Sequence, residues 1–430
     1  MKKPRVAVIS LGCKLNAYEA EATRSALTAA GYEAVEFGED AEVCLVYTCT
    51  VTGRADSRSR NLLRRAAKAV TPGGRVIAAG CYARTDGDKL LEIEGVTDVA
   101  PGPVAELPGI LDKTQENTRR WSDLTEGDSF SYHTRAFLKV QDGCDGVCSF
   151  CKVRIARGPA RSRPAADARL ALERLVKAGH REVVLTGVHL GYWGKEFGQT
   201  LSDLLRELLM VQGLGRIRLS SMEPQELTDE LLTLIAGSEG RMAPHLHVPL
   251  QSGSDVVLHA MRRGYRLEQA MERMAAARRL IPNLGLGLDV LTSFPGETKA
   301  DFNATLHAAR ECGASYLHVF SYSPRPGTPA ADYPGQLSPE VKKERSRLAR
   351  RLSRQLAMEY AESQVGKELS VLVERHRAAS GRLLGVAGNY LRCELLDLPD
   401  DRAGRLITTR VIEPLNEPVH GPAKVLCQQL

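Results

Sequence analysis

The chain has 430 residues, 43% hydrophobic and 26% charged, a globular composition that excludes a fibrous or low-complexity polypeptide. No run of about 18 apolar residues appears, and the start MKKPRVAVISLGCK turns polar too quickly for a secretory signal. A soluble, cytoplasmic protein with no membrane partner is therefore expected; its formal charge of +6 is too mild to name a partner, and its ten cysteines speak for metal or redox chemistry rather than a disulfide framework.

The first part of the chain alternates short apolar runs with helical stretches. RVAVISL (5–11) reads as a strand, AYEAEATRSALTAAG (17–31) as a helix, EVCLVYT (42–48) as a strand, 54–69 as a helix and RVIAAG (75–80) as a third strand. This alternation predicts a doubly wound parallel α/β domain, in which ligands gather at the carboxyl ends of the strands. Cys13, Cys49 and Cys81 each fall just after one of the three strands. Lone buried thiols are the alternative, but three equivalent placements argue for a set. Cys44, inside a strand, and Cys312, late in a helix, read as core; Cys393 and Cys427 show no pattern.

Residues 101–131 read as a linker. Six strand-like runs follow: AFLKVQ (136–141), EVVLTG (182–187), RIRLSS (216–221), HLHVPL (245–250), LGLDVLT (286–292) and YLHVFSY (316–322). Helical segments at 166–178, 201–212, 227–237, 266–280 and 299–312 separate them. That spacing suits a βα repeat, and six units predict a partial (β/α)6 TIM-like barrel with its site at the strand C-termini. A basic helical stretch (339–362) leads to β-rich runs at 368–376, 381–396 and 404–413, which predict a small antiparallel β-barrel. RADSRSRNLLRRAAK (54–68), CKVRIARGPARSR (151–163) and KKERSRLARRLSR (342–354) are dense in Lys and Arg. Each suits a solvated helix face, and together they favour a polyanionic partner such as RNA.

The loop after the first barrel strand, DGCDGVCSFC (142–151), carries Cys144, Cys148 and Cys151 in a C-x3-C-x2-C run. A structural zinc site needs a fourth ligand; the nearest histidine is the distant His133, and no second C-x2-C exists. Three thiolates suit a [4Fe–4S] cluster instead, leaving one iron free to bind a small molecule.

At the end of a first barrel strand this spacing resembles the radical S-adenosylmethionine (SAM) superfamily. GCKLNAYEAE (12–21), VYTCTVTGRADSRSR (46–60) and AAGCYA (78–83) resemble the N-terminal domain of the methylthiotransferase family. KVQDGCDGVCSFCKVRIARGPARSR (139–163), HVPLQSGSDVVLHAMRRGY (247–265), FPGET (294–298) and YSPRPGTPA (322–330) resemble that family's radical SAM domain. The tail resembles its RNA-binding TRAM barrel. The resemblance implies three domains: 1–120 with an auxiliary cluster, 130–360 as the radical SAM core, and 363–430 as TRAM. It implies two [4Fe–4S] clusters, one on Cys144, Cys148 and Cys151 that binds and cleaves SAM, the other on Cys13, Cys49 and Cys81 for sulfur insertion. One SAM is then the methyl source and another the radical source, with a flavodoxin- or ferredoxin-type electron donor and an unknown sulfur source. Three substrate branches are implied: threonylcarbamoyladenosine in tRNA, isopentenyladenosine in tRNA, or an aspartate of a ribosomal protein. GCKLN, TCTVTGRADSRSR and LTGVHLG (185–191) look most like the first, with insertion at C2 of the base at tRNA position 37. From another class, a non-catalytic RNA-binding protein with one structural metal stays open.

Thr186 and Gly187 end the second barrel strand and Glu223 follows the third, so all three are candidates for SAM contact. Arg157 and Arg161 are candidates for the SAM carboxylate or a tRNA phosphate. FPGET reads as a turn opening a helix, with Glu297 and Thr298 at its N-terminus, and Tyr390 as core packing or a base-stacking ring. Tyr47, Arg154, Ser293 and Ser321 depart from the family pattern, where Asn, Pro, Gly and Pro are usual; Tyr47 is expected at the auxiliary-cluster wall and Ser293 at the SAM pocket.

Overall fold

A computed structural model describes residues 3–102, 134–415 and 421–430. Most of the expected linker, and His133, lie outside the described residues.

The N-terminal unit is a five-stranded, wholly parallel sheet in the order β2-β1-β3-β4-β5. Its strands are β1 (Arg5–Ser10), β2 (Glu33–Val35), β3 (Ala41–Thr48), β4 (Val70–Ala79) and β5 (Asp98–Ala100). β1, β3 and β4 are the strands expected; β2 and β5 span three residues each, too short to show alternation. The order reverses between β1 and β3, where doubly wound sheets open a crevice at their carboxyl edge. Cys13 and Cys49 follow those two strands, and Cys81 follows β4.

The central unit carries β6 (Ala136–Lys139), β9 (Glu182–Thr186), β10 (Arg216–Leu219), β11 (His245–Gln251), β12 (Gly285–Thr292) and β13 (Tyr316–Ser321). They form two parallel three-stranded sheets, β6-β9-β10 and β11-β12-β13, linked by a parallel bridge between Ser221 and His247. This is the expected six-unit open barrel, and its helices, such as Ala165–Lys177 and Leu201–Leu209, cover the outside. Alternation along the strands sorts the side chains. Leu138, Val183, Leu185, Ile217, Leu246, Val248, Leu286, Leu288 and Leu317 belong to the apolar core beneath the helices, whereas Glu182, Arg216, Arg218, His247, Asp289 and His318 project from the opposite, lumen face. Between β6 and β9, β7 (Gln141–Asp142) and β8 (Arg161–Ser162) pair antiparallel and close the base of the cysteine loop.

The last unit is a closed barrel in the order β14-β15-β16-β18-β17: β14 (Glu368–Arg377), β15 (Leu383–Ala387), β16 (Arg392–Leu396), β17 (Leu406–Leu415) and β18 (Lys424–Gln429). Four strand pairs are antiparallel, but β16 and β18 run parallel. The run 381–396 is two strands broken at a turn where Tyr390 has φ +74°. The buried Cys393 and Cys427 lie in this barrel's core. The helix Pro339–Glu362, as expected, leads into it.

Buried charges bolt the barrels together. Glu182, fully buried, accepts from Arg216 Nη2 at 2.5 Å and Arg218 Nε at 2.7 Å. Both arginines then donate onward to the small barrel: Arg216 to Ser370 O (2.9 Å), Arg218 to Gly388 O (2.9 Å) and Ala387 O (3.0 Å). One carboxylate is thereby shared by two cations at a buried seam.

Ser293 explains its own departure from the family pattern. It adopts φ +64° just after β12, a conformation that glycine takes without strain, and its buried Oγ has no hydrogen-bond partner. Its N–H donates to Glu297 Oε2 at 2.7 Å, a carboxylate that Arg345 also holds. Ser293→Gly is expected to stabilise the protein by roughly 0.5–1 kcal/mol, read as a raised denaturant midpoint at unchanged slope.

Candidate active site

The N-terminal thiols are set by the turns that precede them. Gly12 has φ +107°, and a Cβ there would meet Cys49 Cβ at 2.7 Å and Sγ at 2.8 Å; only glycine lets the β1 and β3 loops approach so closely. Gly80, φ +83°, would likewise drive a Cβ to 2.6 Å from Thr48 O. Asn16 fastens the two loops by donating to Leu11 O (2.7 Å) and Thr48 O (3.0 Å). Ser59 accepts from Cys49 N (3.1 Å) and donates to Cys49 O (3.0 Å). Cys49 and Cys81 are buried and Cys13 is exposed. Burial pushes the Cys49 thiol up to about 11, with Cys13 and Cys81 adding to the rise, and pushes Cys81 up against the pull of Arg157, with Cys13 adding. Tyr47, expected at this wall, is buried in the apolar core of the N-terminal sheet and bonds Thr23 Oγ1 at 2.5 Å.

The second triad sits at the C-terminal end of β6, where the barrel geometry predicts a site. Cys144 N donates to Gly158 O at 3.0 Å and pins the loop. Donors converge on the sulfurs: Gly146 N on Cys144 (3.2 Å), Val153 N on Cys151 (3.4 Å) and Arg263 Nη1 on Cys148 (3.2 Å). His189 Nδ1 lies 3.5 Å from Cys144 Sγ, and its other nitrogen bonds Glu226. Burial raises Cys151 to about 12, with Cys148 and Cys144 adding to the rise. Such N–H donors favour thiolates, and thiols this costly to ionise alone call for a cationic centre.

Among the described residues, the only trio of His, Cys, Asp or Glu whose ligand atoms all lie within 4.8 Å of one another is His247, Asp289 and His318. Neither cysteine triad is that tight. One zinc ion with bonds of about 2.3 Å would hold its sulfurs within roughly 4.6 Å of each other. Neither triad is therefore drawn up around a single zinc ion.

Arg157, a candidate for the SAM carboxylate or a tRNA phosphate, has its partners within the protein and ties the N-terminal triad to the base of the other triad's loop. Its Nε donates to Cys81 Sγ at 3.2 Å, Nη2 to Asn16 Oδ1 (3.1 Å) and Glu19 Oε2 (3.2 Å), and Nη1 to Glu19 Oε1 (2.9 Å) and Asp142 Oδ1 (3.1 Å). Every nitrogen of the fork is engaged inside the protein. Lys139 Nζ completes the cluster at 2.9 Å from Glu19 and 3.0 Å from Asp142. Two further clasps hold the units together: Lys152 on Asp86 (2.5 Å), and Arg325, from YSPRPGTPA, on Thr50 and Asp56 (2.7 Å each).

Of the other candidates, Thr186 is buried at the end of β9 and Gly187 packs against Gln141, whose Oε1 accepts from His189 N at 2.8 Å. Glu223 binds Arg263 Nη2, so it reaches the second triad through that guanidinium. Arg161 is exposed on β8, Arg154 is exposed, and Thr298 caps the helix Lys299–Glu311. Sequence reasoning missed His189, Arg263 and Lys139. All three lie in family-like motifs, His189 in LTGVHLG, Arg263 in HVPLQSGSDVVLHAMRRGY and Lys139 at the start of KVQDGCDGVCSFCKVRIARGPARSR, which was the available signal.

The family model described as "Uncharacterized protein family UPF0004" matches residues 5–102, and the radical SAM superfamily model matches 138–309. The threonylcarbamoyladenosine tRNA methylthiotransferase MtaB of Bacillus subtilis is 36% identical over 433 residues, covering 96% of this chain and 95% of that protein. The Aquifex aeolicus protein of the same name is 37% identical over 384 residues, 86% of this chain and 92% of its own length. The tRNA-2-methylthio-N(6)-dimethylallyladenosine synthase of Cereibacter sphaeroides is 35% identical over 416 residues, 93% of this chain and 94% of that one. In fold, the chain is similar to the radical SAM methyltransferase TsrM from Kitasatospora setae, with a TM-score of 0.57, 15% identity, and 77% and 74% of the two chains covered. Two thiol triads on a parallel sheet and an open six-unit barrel, with full-length relatives above 30% identity, place the chain: it belongs to the radical S-adenosylmethionine methylthiotransferase family.

Proposed function

We propose that this enzyme inserts a methylthio group at C2 of N6-threonylcarbamoyladenosine at position 37 of tRNA, using SAM and two [4Fe–4S] clusters. The observation that carries the reading is Arg157, which ties a thiol of the N-terminal triad to the base of the loop bearing the other triad. Cys144, Cys148 and Cys151 would hold the SAM-binding cluster, and Cys13, Cys49 and Cys81 the auxiliary one. When bound, these groups supply one-electron chemistry, sulfur and a methyl group. The protein's own part is positional. Backbone N–H groups and Arg263 orient the Cys144, Cys148 and Cys151 triad, Glu223 orients Arg263, and Thr186 and Gly187 offer a wall for SAM at the end of β9. Residues 1–120, 130–360 and 363–430 serve as auxiliary-cluster, radical SAM and RNA-binding TRAM domains. Exposed Arg54, Arg58, Arg64 and Arg65 on the helix Gly53–Ala69 give tRNA a cationic face. A flavodoxin- or ferredoxin-type protein is the proposed electron donor.

The threonylcarbamoyl substrate is favoured by GCKLN and TCTVTGRAD around the first two thiols and by the MtaB relatives. The dimethylallyladenosine synthases, similar to nearly the same degree, supply the competing substrate. Mass spectrometry of tRNA nucleosides from a deletion strain separates them. The expected result is loss of 2-methylthio-threonylcarbamoyladenosine with the isopentenyl analogue retained, and the reverse pattern would overturn the choice. Anaerobic reconstitution is expected to give about eight irons per chain; one tightly bound zinc instead would sink the enzyme reading.

A further inference from the structure

The lumen face of β11, β12 and β13 carries a polar cluster that neither thiol triad uses. His247, Asp289 and His318 stand on these three neighbouring strands, and Asp289 is the ladder partner of His318. Asp289 Oδ1 lies 2.7 Å from His247 Nε2 and 3.4 Å from His318 Nδ1. The two imidazole rings are 4.7 Å apart. β13 is the edge strand of its sheet and the His318 side chain is 42% exposed, so the cluster can be reached from solvent.

Asp289 differs from the other buried carboxylates in its partners. Glu19, Asp142, Glu182 and Glu297 are buried, and each is met by an Arg or a Lys. Only 18% of the Asp289 side chain is exposed, yet among the described residues its ion-pair partners are the two histidines alone. Burial opposes its ionisation, but His247 and then His318 outweigh that cost and hold the carboxyl well below the usual range. A carboxylate so far out of water calls for a full cation, and a neutral imidazole is not one.

The far side of His247 is arranged as it is in metal-bound imidazoles. Its Nδ1 lies 3.3 Å from Tyr316 OH, which in turn lies 2.9 Å from His245 Nε2. One ring nitrogen is thus oriented by a neighbour while Nε2 faces Asp289. Gly287 makes room for this contact, because a Cβ there would meet Tyr316 OH at 2.3 Å and His247 Nδ1 at 2.6 Å.

We propose that His247 Nε2, Asp289 Oδ1 and His318 Nδ1 bind one divalent transition-metal ion, of the zinc or ferrous class. Two imidazoles and a carboxylate are a donor set that both metals accept, with a position left for water. Tetrahedral zinc with bonds of about 2.1 Å sets its ligand atoms roughly 3.4 Å apart. The Asp289–His318 separation already matches, and the His247–Asp289 pair has to open by about 0.7 Å. The ion supplies the cation that Asp289 lacks and ties the edge strand β13 to β11 and β12.

The test titrates reconstituted full-length enzyme anaerobically with zinc chloride in a calorimeter and counts zinc and iron by mass spectrometry. One zinc per chain is expected at micromolar concentration, above an unchanged complement of about eight irons. If reconstitution has already filled the site with iron, the count starts at about nine and zinc displaces one. Diffraction at the zinc and iron absorption edges should place the ion among the three side chains and tells the two metals apart. Asp289→Asn and His318→Ala should each abolish the extra ion while the thiol-bound iron, which reports on folding, stays. Tyr316→Phe should weaken zinc binding roughly 10- to 100-fold. The proposal is overturned if no metal binds beyond the cluster irons, or if the extra ion survives both ligand variants. It is equally overturned if zinc binds only at millimolar concentration, an adventitious ion only, or only as iron leaves the thiol triads. The site is read as the difference between wild type and variants, so a failed two-cluster count and a failed metal site are separate results.

Discussion

Replacing Cys13, Cys49 and Cys81 together by Ala is expected to abolish methylthio insertion while reductive cleavage of SAM continues. Iron should fall from about eight to about four per chain. The expectation follows from where the thiols sit. The N-terminal triad hangs from the carboxyl edge of its own five-stranded sheet, and the loops carrying it are fastened by Asn16, Thr48 and Ser59, all of that unit. The other triad is held by the β7–β8 ribbon and by donors of the barrel, Gly146 N, Val153 N and Arg263. Removing one set therefore leaves the other set's supports in place. Accumulation of 5′-deoxyadenosine by chromatography, iron analysis and nucleoside mass spectrometry read the three quantities on one preparation. Loss of SAM cleavage in the triple variant would show that the N-terminal thiols serve the cleavage step, and the division of labour would be wrong.

Much of this arrangement was legible in the sequence because it is local. A strand of alternating or continuous apolar residues, ended by Gly-Cys or Thr-Cys, announces both its own end and the thiol beyond it; Cys13, Cys49, Cys81 and Cys144 fall at such ends, and Cys148 and Cys151 follow Cys144 in the same loop. The six barrel strands were legible for the same reason. The short β2 and β5, and β18, with its brief KVLCQQ, carry too few residues for a period to show. Long-range polar pairing was not legible at all. Arg157 sits in a basic run that suits a phosphate or carboxylate ligand, yet its partners are Glu19 and Asn16, on a helix of another unit. Arg263 and His189 were hidden likewise: their meaning depends on Cys148 and Cys144, which only the fold brings near. Tyr390 was weighed as core or base-stacking ring, and it is a half-buried wall shared by two barrels.

Arg157→Met is the second large effect, and it joins stability to function. The substitution keeps much of the side chain's apolar length and removes the fork that satisfies Glu19, Asp142, Asn16 and the Cys81 sulfur. Two buried carboxylates are then left with Lys139 as their remaining cation, a broken buried network that costs about 3–5 kcal/mol at neutral pH. The pH dependence fixes the cause. Burial opposes ionisation of Glu19, but Arg157 and then Lys139 outweigh it and hold the carboxyl down at about 2. Asp142 is held well below the usual carboxylate range against the same penalty, by Lys139 and then Arg157. Both groups are more acidic folded than unfolded, so their stabilisation is complete above the unfolded value of about 4.5 and is lost as pH falls through the folded values. In the variant the folded values rise, so acid costs it less. The stability gap between wild type and variant should be widest above pH ~4.5 and narrow steadily towards pH ~2, as measured by chemical denaturation across that range. A gap that stays constant with pH would assign the loss to packing rather than charge. Because the same guanidinium donates to Cys81, methylthio insertion should fall with the contact at neutral pH, and Arg157→Lys, which keeps one charge but not the fork, should recover stability more fully than insertion.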